Sequence, residues 1–317
     1  MGAFKYNEFE IYTEFFDNFT SEHTRRSYQN DLRKFFSYLG ESYPKIITYK
    51  KIERVHIINY RNFLSETGGV DGRPSAPKTV ARALASISSY FDYLVEKGEK
   101  DFNPVKSVKR PRREVLKPTQ ALSKEQVREI FDLLDSEKKQ HPSRYLHKAL
   151  LVTFFTTGMR KGEVLNLKYS NFREINDYYV LEFIGKGGKV GQKLLHPMCV
   201  EALSEYSEWM KNQKRELTPD DWLFQPTRNP KDPTNLNKPL NPKTINEILQ
   251  NYGKKIGLNF NISPHSARAT FIGELLDAGV DIYSVAREVN HSSVKTTQEY
   301  DKRRKKIKDS PISKLRY

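Results

Sequence analysis

Cysteine is almost missing from this sequence: Cys199 is the only one in 317 residues, so neither a disulfide framework nor a Cys-based metal site is expected. Long apolar runs are missing too. No stretch approaches the roughly 18–20 residues that a membrane helix needs, and no membrane partner is expected. The opening MGAFKYNEFEIY lacks a charged segment followed by an apolar one, so it does not read as a signal peptide. There is no internal repeat and no low-complexity tract. Acidic residues fall short of basic ones, 39 Asp and Glu against 54 Lys and Arg, leaving a net charge of +15. That imbalance favours a polyanionic partner, most simply nucleic acid, whose phosphates release counterions to Lys and Arg. Charge alone fits a ribosome-associated or otherwise basic protein without chemistry equally well.

The length allows two domains, each with its own core. The first third reads as helical. In SEHTRRSYQNDLRKFFSYLG, Tyr28, Leu32, Phe35, Phe36 and Leu39 share one face, with Ser21 as N-cap and Gly40 as stop. In PKTVARALASISSYFDYLVEKG, Val80, Leu84, Ile87, Phe91 and Leu94 repeat the pattern up to Gly98. Helices are also expected around 7–19 and 51–66, giving a four-helix domain over residues 1–106. Its outward faces carry Arg25, Arg26, Arg33, Lys34, Lys78 and Arg82, which suit either a solvated surface or DNA contact. Residues 107–120 form a basic linker in which Pro111 and Pro118 oppose a helix. Its Lys109, Arg110, Arg112 and Arg113 can lie along a DNA backbone or simply aid solubility.

A second domain is expected over 121–317, mainly α with a small β-hairpin. Ser123 caps a helix, HKALLVTFFTTG reads as a buried helix closed by Gly158, and MRKGEVLNL as a short one. The β feature is YYVLEFIGKGGKVGQKLLHP, two β-rich runs around a glycine-rich turn. Helices follow around 198–214 and 242–256, separated by a proline- and Asn/Asp-rich loop. Ser263-Pro264 opens another helix, with His265 and Arg268 one turn apart near its anion-attracting N-terminus. Ser292 or Ser293 caps a further helix carrying Tyr300.

Several residues of this half suit phosphate chemistry, although each alone has a plainer explanation. Arg160 and Glu163 are one turn apart, as in any helix-surface ion pair, yet a guanidinium grips a phosphate bidentately. Lys186 sits in GKGGK, which fails the Walker pattern because it lies in a hairpin rather than before a helix. A lysine on such a tip is a solvated turn residue or a proton donor to a leaving oxygen, and Lys189 competes with it. His291 has no Cys or carboxylate cluster beside it to suggest a metal. Two arginines, a lysine and two histidines converging on Tyr300 would make a phosphate clamp around a nucleophile.

The order arginine, hairpin lysine, H-x-x-R, histidine, tyrosine resembles the tyrosine recombinase family of phage-integrase-type site-specific recombinases, in its Xer-like form. TGMRKGEVLNL is similar to the first arginine box, IGKGGKVGQKLLHP to the hairpin-lysine segment, and SPHSARATF and VNHSSVKTTQEYDK to the later boxes. His291 and Tyr300 are nine positions apart, as in the family box. TRRSYQNDLRKFFSYL and SAPKTVARALASISSYFDYL resemble the helical core-binding domain. Ala269 stands where the family often has histidine, Asn290 where it has glycine, and the loop at 216–241 is longer than in compact Xer-like members.

The resemblance implies a core-binding domain followed by a mixed α+β catalytic domain. It implies that Tyr300 attacks the scissile phosphate, forming a 3′-phosphotyrosyl link and freeing a 5′-hydroxyl on the way to a Holliday junction. Arg160, Arg268 and His265 would stabilise the transition state, Lys186 would protonate the leaving oxygen, His291 would bond the non-bridging oxygens and Glu163 would support the site. No metal or other cofactor is implied, because the phosphotyrosyl link conserves the bond energy. The implied partners are a duplex recombination site, a homotetramer on paired sites, and an accessory directionality factor or partner recombinase in some systems. The place is the cytoplasm, at the nucleoid. Type IB topoisomerase-like relaxation and a non-catalytic DNA-binding regulator are the alternatives; the helical first domain and the tail after Tyr300 speak against the former, the full residue set against the latter.

Overall fold

Ser21 opens the longest helix by accepting the Thr24 amide on its Oγ, satisfying one of the donors that a helix start leaves unpaired. The structure, a computed structural model, describes residues 3–6, 9–111, 119–136, 143–185, 188–213, 215–228 and 236–301, with side chains from Phe9 onward. Arg112, Arg113, Lys186 and the tail beyond Asp301 therefore lie outside the described residues. The chain divides into two units, Met1–Leu116 and Lys117–Tyr317.

In the first unit a two-stranded antiparallel hairpin, β1 (Ala3–Tyr6) and β2 (Phe9–Tyr12), precedes α1 (Glu14–Asp17), α2 (Glu22–Ser42), α3 (Arg54–Glu66) and α4 (Pro77–Glu96). The helix expected over 7–19 is thus a strand plus a single helical turn. Along β2 Phe9 and Ile11 are buried and Glu10 is exposed, the period of two that belongs to a half-buried strand. The apolar faces of α2 and α4 close on one aromatic-rich core, with Leu32, Phe35, Phe36 and Leu39 against Val80, Leu84, Ile87 and Phe91. Gly40 does not stop α2, which runs on to Ser42. Gly98 does end α4, at a φ of 77° that suits a residue without a Cβ.

Several of the basic residues on these helices serve the fold. Arg82 pairs with the buried Asp31, which also accepts from Ser86, and its guanidinium reaches Ser27 at 2.6 Å. Arg25 donates to the Phe19 carbonyl and Lys34 to that of Gly68. Arg26 pairs with Glu22 in full solvent, a contact worth little. Arg33, Lys78, Lys109 and Arg110 are exposed.

The second unit holds α5 (Lys124–Ser136), α6 (Arg144–Thr157), α7 (Lys161–Leu165), a three-stranded antiparallel sheet in the order β3 (Phe172–Ile175), β4 (Tyr178–Ile184), β5 (Val190–Leu194), then α8 (Pro197–Asn212), α9 (Pro242–Lys255), α10 (Pro264–Asp277), α11 (Ile282–Glu288) and α12 (Val294–Gln298). Strand β3 is an addition to the expected hairpin. It joins β4 through Asn176 and Asp177, both at positive φ, the geometry of a tight two-residue hairpin turn. Helix α6 is buried nearly all round and forms the axis of the core, with α5, α8 and α10 packed against it and residues of α9 and the inner face of the sheet in the same cluster. At its end Gly158 adopts a φ of 61°, and a Cβ there would run into the Phe271 ring of α10. A smaller cluster of Ile272, Leu276, Val285 and Val289 fastens α11 to α10, and Tyr300 packs against it. Among the described residues no helix is long and apolar enough to cross a membrane.

Candidate active site

Four pieces of chain bring the candidate residues together: the α6–α7 junction, the start of α10, the turn after α11, and the end of α12. Arg160 is the N-cap of α7. Its backbone N–H donates to Glu163 Oε2 at 2.7 Å, and its Nη1 donates to Glu163 Oε1 at 2.8 Å. Glu163, buried to 7% exposure, therefore ties down both the main chain and the side chain of Arg160. The remaining terminal nitrogen of Arg160 donates to the Asn290 carbonyl at 3.0 Å.

Ser263 and Ser266 cap α10 reciprocally, and Pro264 takes its first position. This places His265, exposed, on the first turn and Arg268, buried to 3%, one turn later. Arg268 bridges two helix ends. It donates to the carbonyl of Gly158, at the close of α6, at 2.7 Å, and to that of Val289, at the close of α11. Burial first, and then the charge of Arg160, lower its pKa to about 10, so it stays cationic at neutral pH.

The turn after α11 is a Schellman motif. The Asn290 N–H returns to the Arg287 carbonyl and the His291 N–H to that of Ala286, with Asn290 at a φ of 52°. Asparagine is among the few side chains that accept this conformation, which explains how it stands in a glycine position. The turn thus presents two successive carbonyls, of Val289 and Asn290, to the two arginines, and then delivers His291. The His291 Nδ1 lies 2.8 Å from the hydroxyl of Thr297, which is fully buried on α12. The rings of His291 and Tyr300 stack with centroids 6.1 Å apart and planes 18° apart. Ser293 caps α12 as expected, but Tyr300 lies just beyond that helix rather than on it, its N–H donating to the Thr297 carbonyl. Burial raises the Tyr300 pKa and the neighbouring Glu299 adds to this, while Arg268 and Arg160 oppose it.

A cavity of about 470 Å³ opens beside this turn, lined by Arg160, Phe183, Gly185, Lys189, Val190, Gly191, Asn290, His291 and Ser292. Gly185 and Val190, where β4 ends and β5 begins, are therefore next to the arginine and histidine, and Lys189 faces the same space, while Lys186 lies outside the described residues. Two residues that the sequence reading passed over belong to this neighbourhood: Thr297, whose signal was its place in the box already quoted, and Lys193, a charge on the inner face of β5.

His291 carries a testable electrostatic consequence. Burial first, then Arg268 and Arg160, lower its pKa to about 4. The imidazole is neutral in the free protein at neutral pH. In the unfolded chain it takes a proton near its ordinary value of roughly 6.5. Its contribution to stability is therefore complete above that value and is lost as pH falls from there through about 4. In NMR titration of the free protein, the His291 ring resonances should stay flat down to about pH 5 and move only near 4. A midpoint near the ordinary value would mean that the ring is solvated and the arginines are not beside it.

Comparison with known proteins places this geometry. The phage integrase family model matches residues 120–306, and the model of the N-terminal SAM-like domain of phage integrases matches residues 15–98. The chain is 30% identical over 298 residues to the tyrosine recombinase XerC of Syntrophus aciditrophicus, covering 92% of this chain and 91% of that one. It is 31% identical over 291 residues to XerC of Thermodesulfovibrio yellowstonii, covering 88% and 85%. Among solved structures, the XerH site-specific recombinase bound to palindromic difH substrate shares the fold with a TM-score of 0.70 at 23% identity, over 92% of this chain and 80% of that one. A lambda integrase dimer bound to a COC′ core site does so at 0.64 and 15%, over 91% and 94%. The arginine–histidine–tyrosine turn thus lies within the span matched by the family model, in a chain similar to these relatives over most of its length, and the chain belongs to the phage integrase family of tyrosine recombinases.

Proposed function

We propose that this chain cuts and rejoins duplex DNA at specific sites, with Tyr300 as the nucleophile and a 3′-phosphotyrosyl intermediate. The observation that carries the reading is the meeting of Tyr300, His291, Arg160 and Arg268 at one helix-end turn. A guanidinium has five N–H donors. Arg160 and Arg268 each spend some of them on protein oxygens, which fixes their planes and leaves the others for the non-bridging oxygens of a phosphate. In neutral His291, with the Thr297 hydroxyl donating to Nδ1, the Nε2–H donates to the same oxygens. His265 joins the arginines in stabilising the pentavalent state, and Glu163 holds Arg160 in place. As the Tyr300 phenol oxygen bonds to phosphorus, its proton passes to solvent water; the P–O5′ bond breaks, and the Lys186 ammonium gives a proton to the leaving 5′-oxygen. The chain–phosphate bond energy passes into the tyrosyl ester and back, so rejoining needs no external energy source.

The DNA itself is held, on this reading, by the helical domain over 1–106 and the linker 107–120, ahead of the catalytic domain 121–317. Arg26, Arg33, Lys78, Lys109 and Arg110 are exposed for phosphate contact. Arg25, Lys34 and Arg82 would contact phosphate while also bracing the fold, and Arg112 and Arg113 extend the basic linker. The DNA-bound states of XerH and lambda integrase support a duplex partner. A homotetramer on paired sites completes the proposal, with an accessory factor where direction must be set.

The test uses full-length protein and a supercoiled plasmid carrying two copies of a site selected from a random duplex pool. Strand exchange between the copies, with a transient covalent adduct, is the expected result. Relaxation by a monomer without exchange would make the chain a topoisomerase, and binding without any adduct would make it a regulator.

A further inference from the structure

The inner face of the sheet carries a charge for which the reaction has no use. Along β5 the side chains alternate, and Lys193 occupies an inward position opposite the fully buried Leu181 of β4. An apolar residue is the ordinary occupant of such a place. Lys193 is instead buried to 2%, and its Nζ reaches Glu288 Oε1 at 2.8 Å. Burial lowers its pKa, Glu288 counters this, and Arg268 and Glu163 are near enough to act on it as well.

Glu288 is the last residue of α11, directly before the carbonyls of Val289 and Asn290. Three cations therefore converge on one helix end: Lys193 on the Glu288 side chain, Arg268 on the Val289 carbonyl and Arg160 on the Asn290 carbonyl. Cations at a helix C-terminus also meet the negative end of its dipole. The helix needs such fixing. It has seven residues, of which only Val285 and Ala286 are buried, far short of what holds a helix by itself.

We propose that Lys193 is a positioning residue: through Glu288 it fixes the end of α11 against β5, and so sets His291 and Tyr300 against the Arg160–Arg268 pair. Lys193 does not touch the phosphate; its ammonium is enclosed and engaged. The inference rests on Tyr300 as the nucleophile, and the experiment separates the two. A buried ion pair is weak support for a fold, and removing one partner is costly where the other charge stays buried but not where it can turn to water. Glu288, 48% exposed, can do so. A purely structural pair and a positioning pair therefore predict different results.

Four full-length proteins are compared: the parent chain, Lys193→Met, Glu288→Gln, and the double variant Lys193→Met/Glu288→Leu. Each is measured for melting temperature, for affinity to a half-site duplex from the selected pool, for the rate of adduct formation on a nicked form of that duplex, and for hydrogen exchange. Lys193→Met should melt close to the parent, whereas Glu288→Gln, which leaves the enclosed ammonium without its countercharge, should melt lower. Measured where each is fully folded, both should bind within about threefold yet form adduct about 10- to 100-fold more slowly, the cost of a misplacement on the order of 1 Å. Exchange should quicken in peptides covering residues 282–292 and stay unchanged in α6. The double variant should be no slower than the singles, because one contact is lost in each. Adduct formation at the parental rate, or a loss that only follows melting temperature and global exchange, would overturn the proposal. So would a tenfold loss of half-site affinity in Lys193→Met, which would make the lysine a phosphate contact. Failure of the parent itself to form an adduct at Tyr300, read by peptide mapping, would instead sink the assignment of the nucleophile.

Discussion

Tyr300→Phe should abolish covalent attachment to DNA while leaving half-site affinity within a few-fold of the parent. The ring is retained, so its packing against the Ile272, Leu276, Val285 and Val289 cluster and its stack on His291 persist, and the site should keep its shape. What goes is the phenol oxygen, the atom proposed to form the new bond to phosphorus. Nothing else offered by the turn can replace it. His291 is held by Thr297, and Ser293 is engaged as the N-cap of α12, at the opposite end of that helix from Tyr300. Affinity has another source. A chain with a net charge of +15 gains most of its binding from counterion release by many Lys and Arg contacts, to which one phenol adds little. The measurement is a denaturing gel of labelled nicked duplex after incubation with each protein. A shifted band in the phenylalanine variant would show that another tyrosine, of the 18 in the chain, is the nucleophile.

The parts of the molecule that were legible in its sequence are those where a local rule decides. The periodic faces of α2 and α4, the serine caps at positions 21, 123, 263 and 293, and the left-handed Gly158 all follow from residue type and spacing. Elsewhere the local signal is short or absent. The turn at Asn176 and Asp177 is a hairpin signal in plain view, and heeding it would have yielded β3. The β1–β2 hairpin is four residues to a strand, too short for its alternation to stand out against the helices that follow. Lys193 is different in kind. Its partner Glu288 lies 95 positions away, and nothing in either neighbourhood announces the pairing. The same holds for Arg160 and Arg268: the boxes single out the residues, but only the folded chain reveals that both are anchored on carbonyls of one turn.

That anchoring sets the outcome expected for Arg268→Lys. The guanidinium holds the Gly158 and Val289 carbonyls at once, linking the ends of α6 and α11. A lysine keeps the charge but loses the planar fork, and its single ammonium on a flexible stem cannot serve both acceptors and a phosphate in fixed directions. At least one buried carbonyl is left unpaired, at a cost of about 1–3 kcal/mol. For a unit of this size that lowers the melting temperature by several degrees. The larger effect is on rate. Loss of one oriented donor to the developing charge typically slows reaction about 10²–10³-fold. Half-site affinity should change only a few-fold, since one phosphate contact among many is altered. Adduct formation is therefore followed at a temperature where both proteins are fully folded, beside a melting curve for each. If cleavage falls only as far as the folded fraction does, Arg268 is a brace between two helices and nothing more. If it falls a hundredfold with the fold intact, the same five donors brace the helices and grip the phosphate, and the turn at Val289–Asn290 is where the two tasks meet.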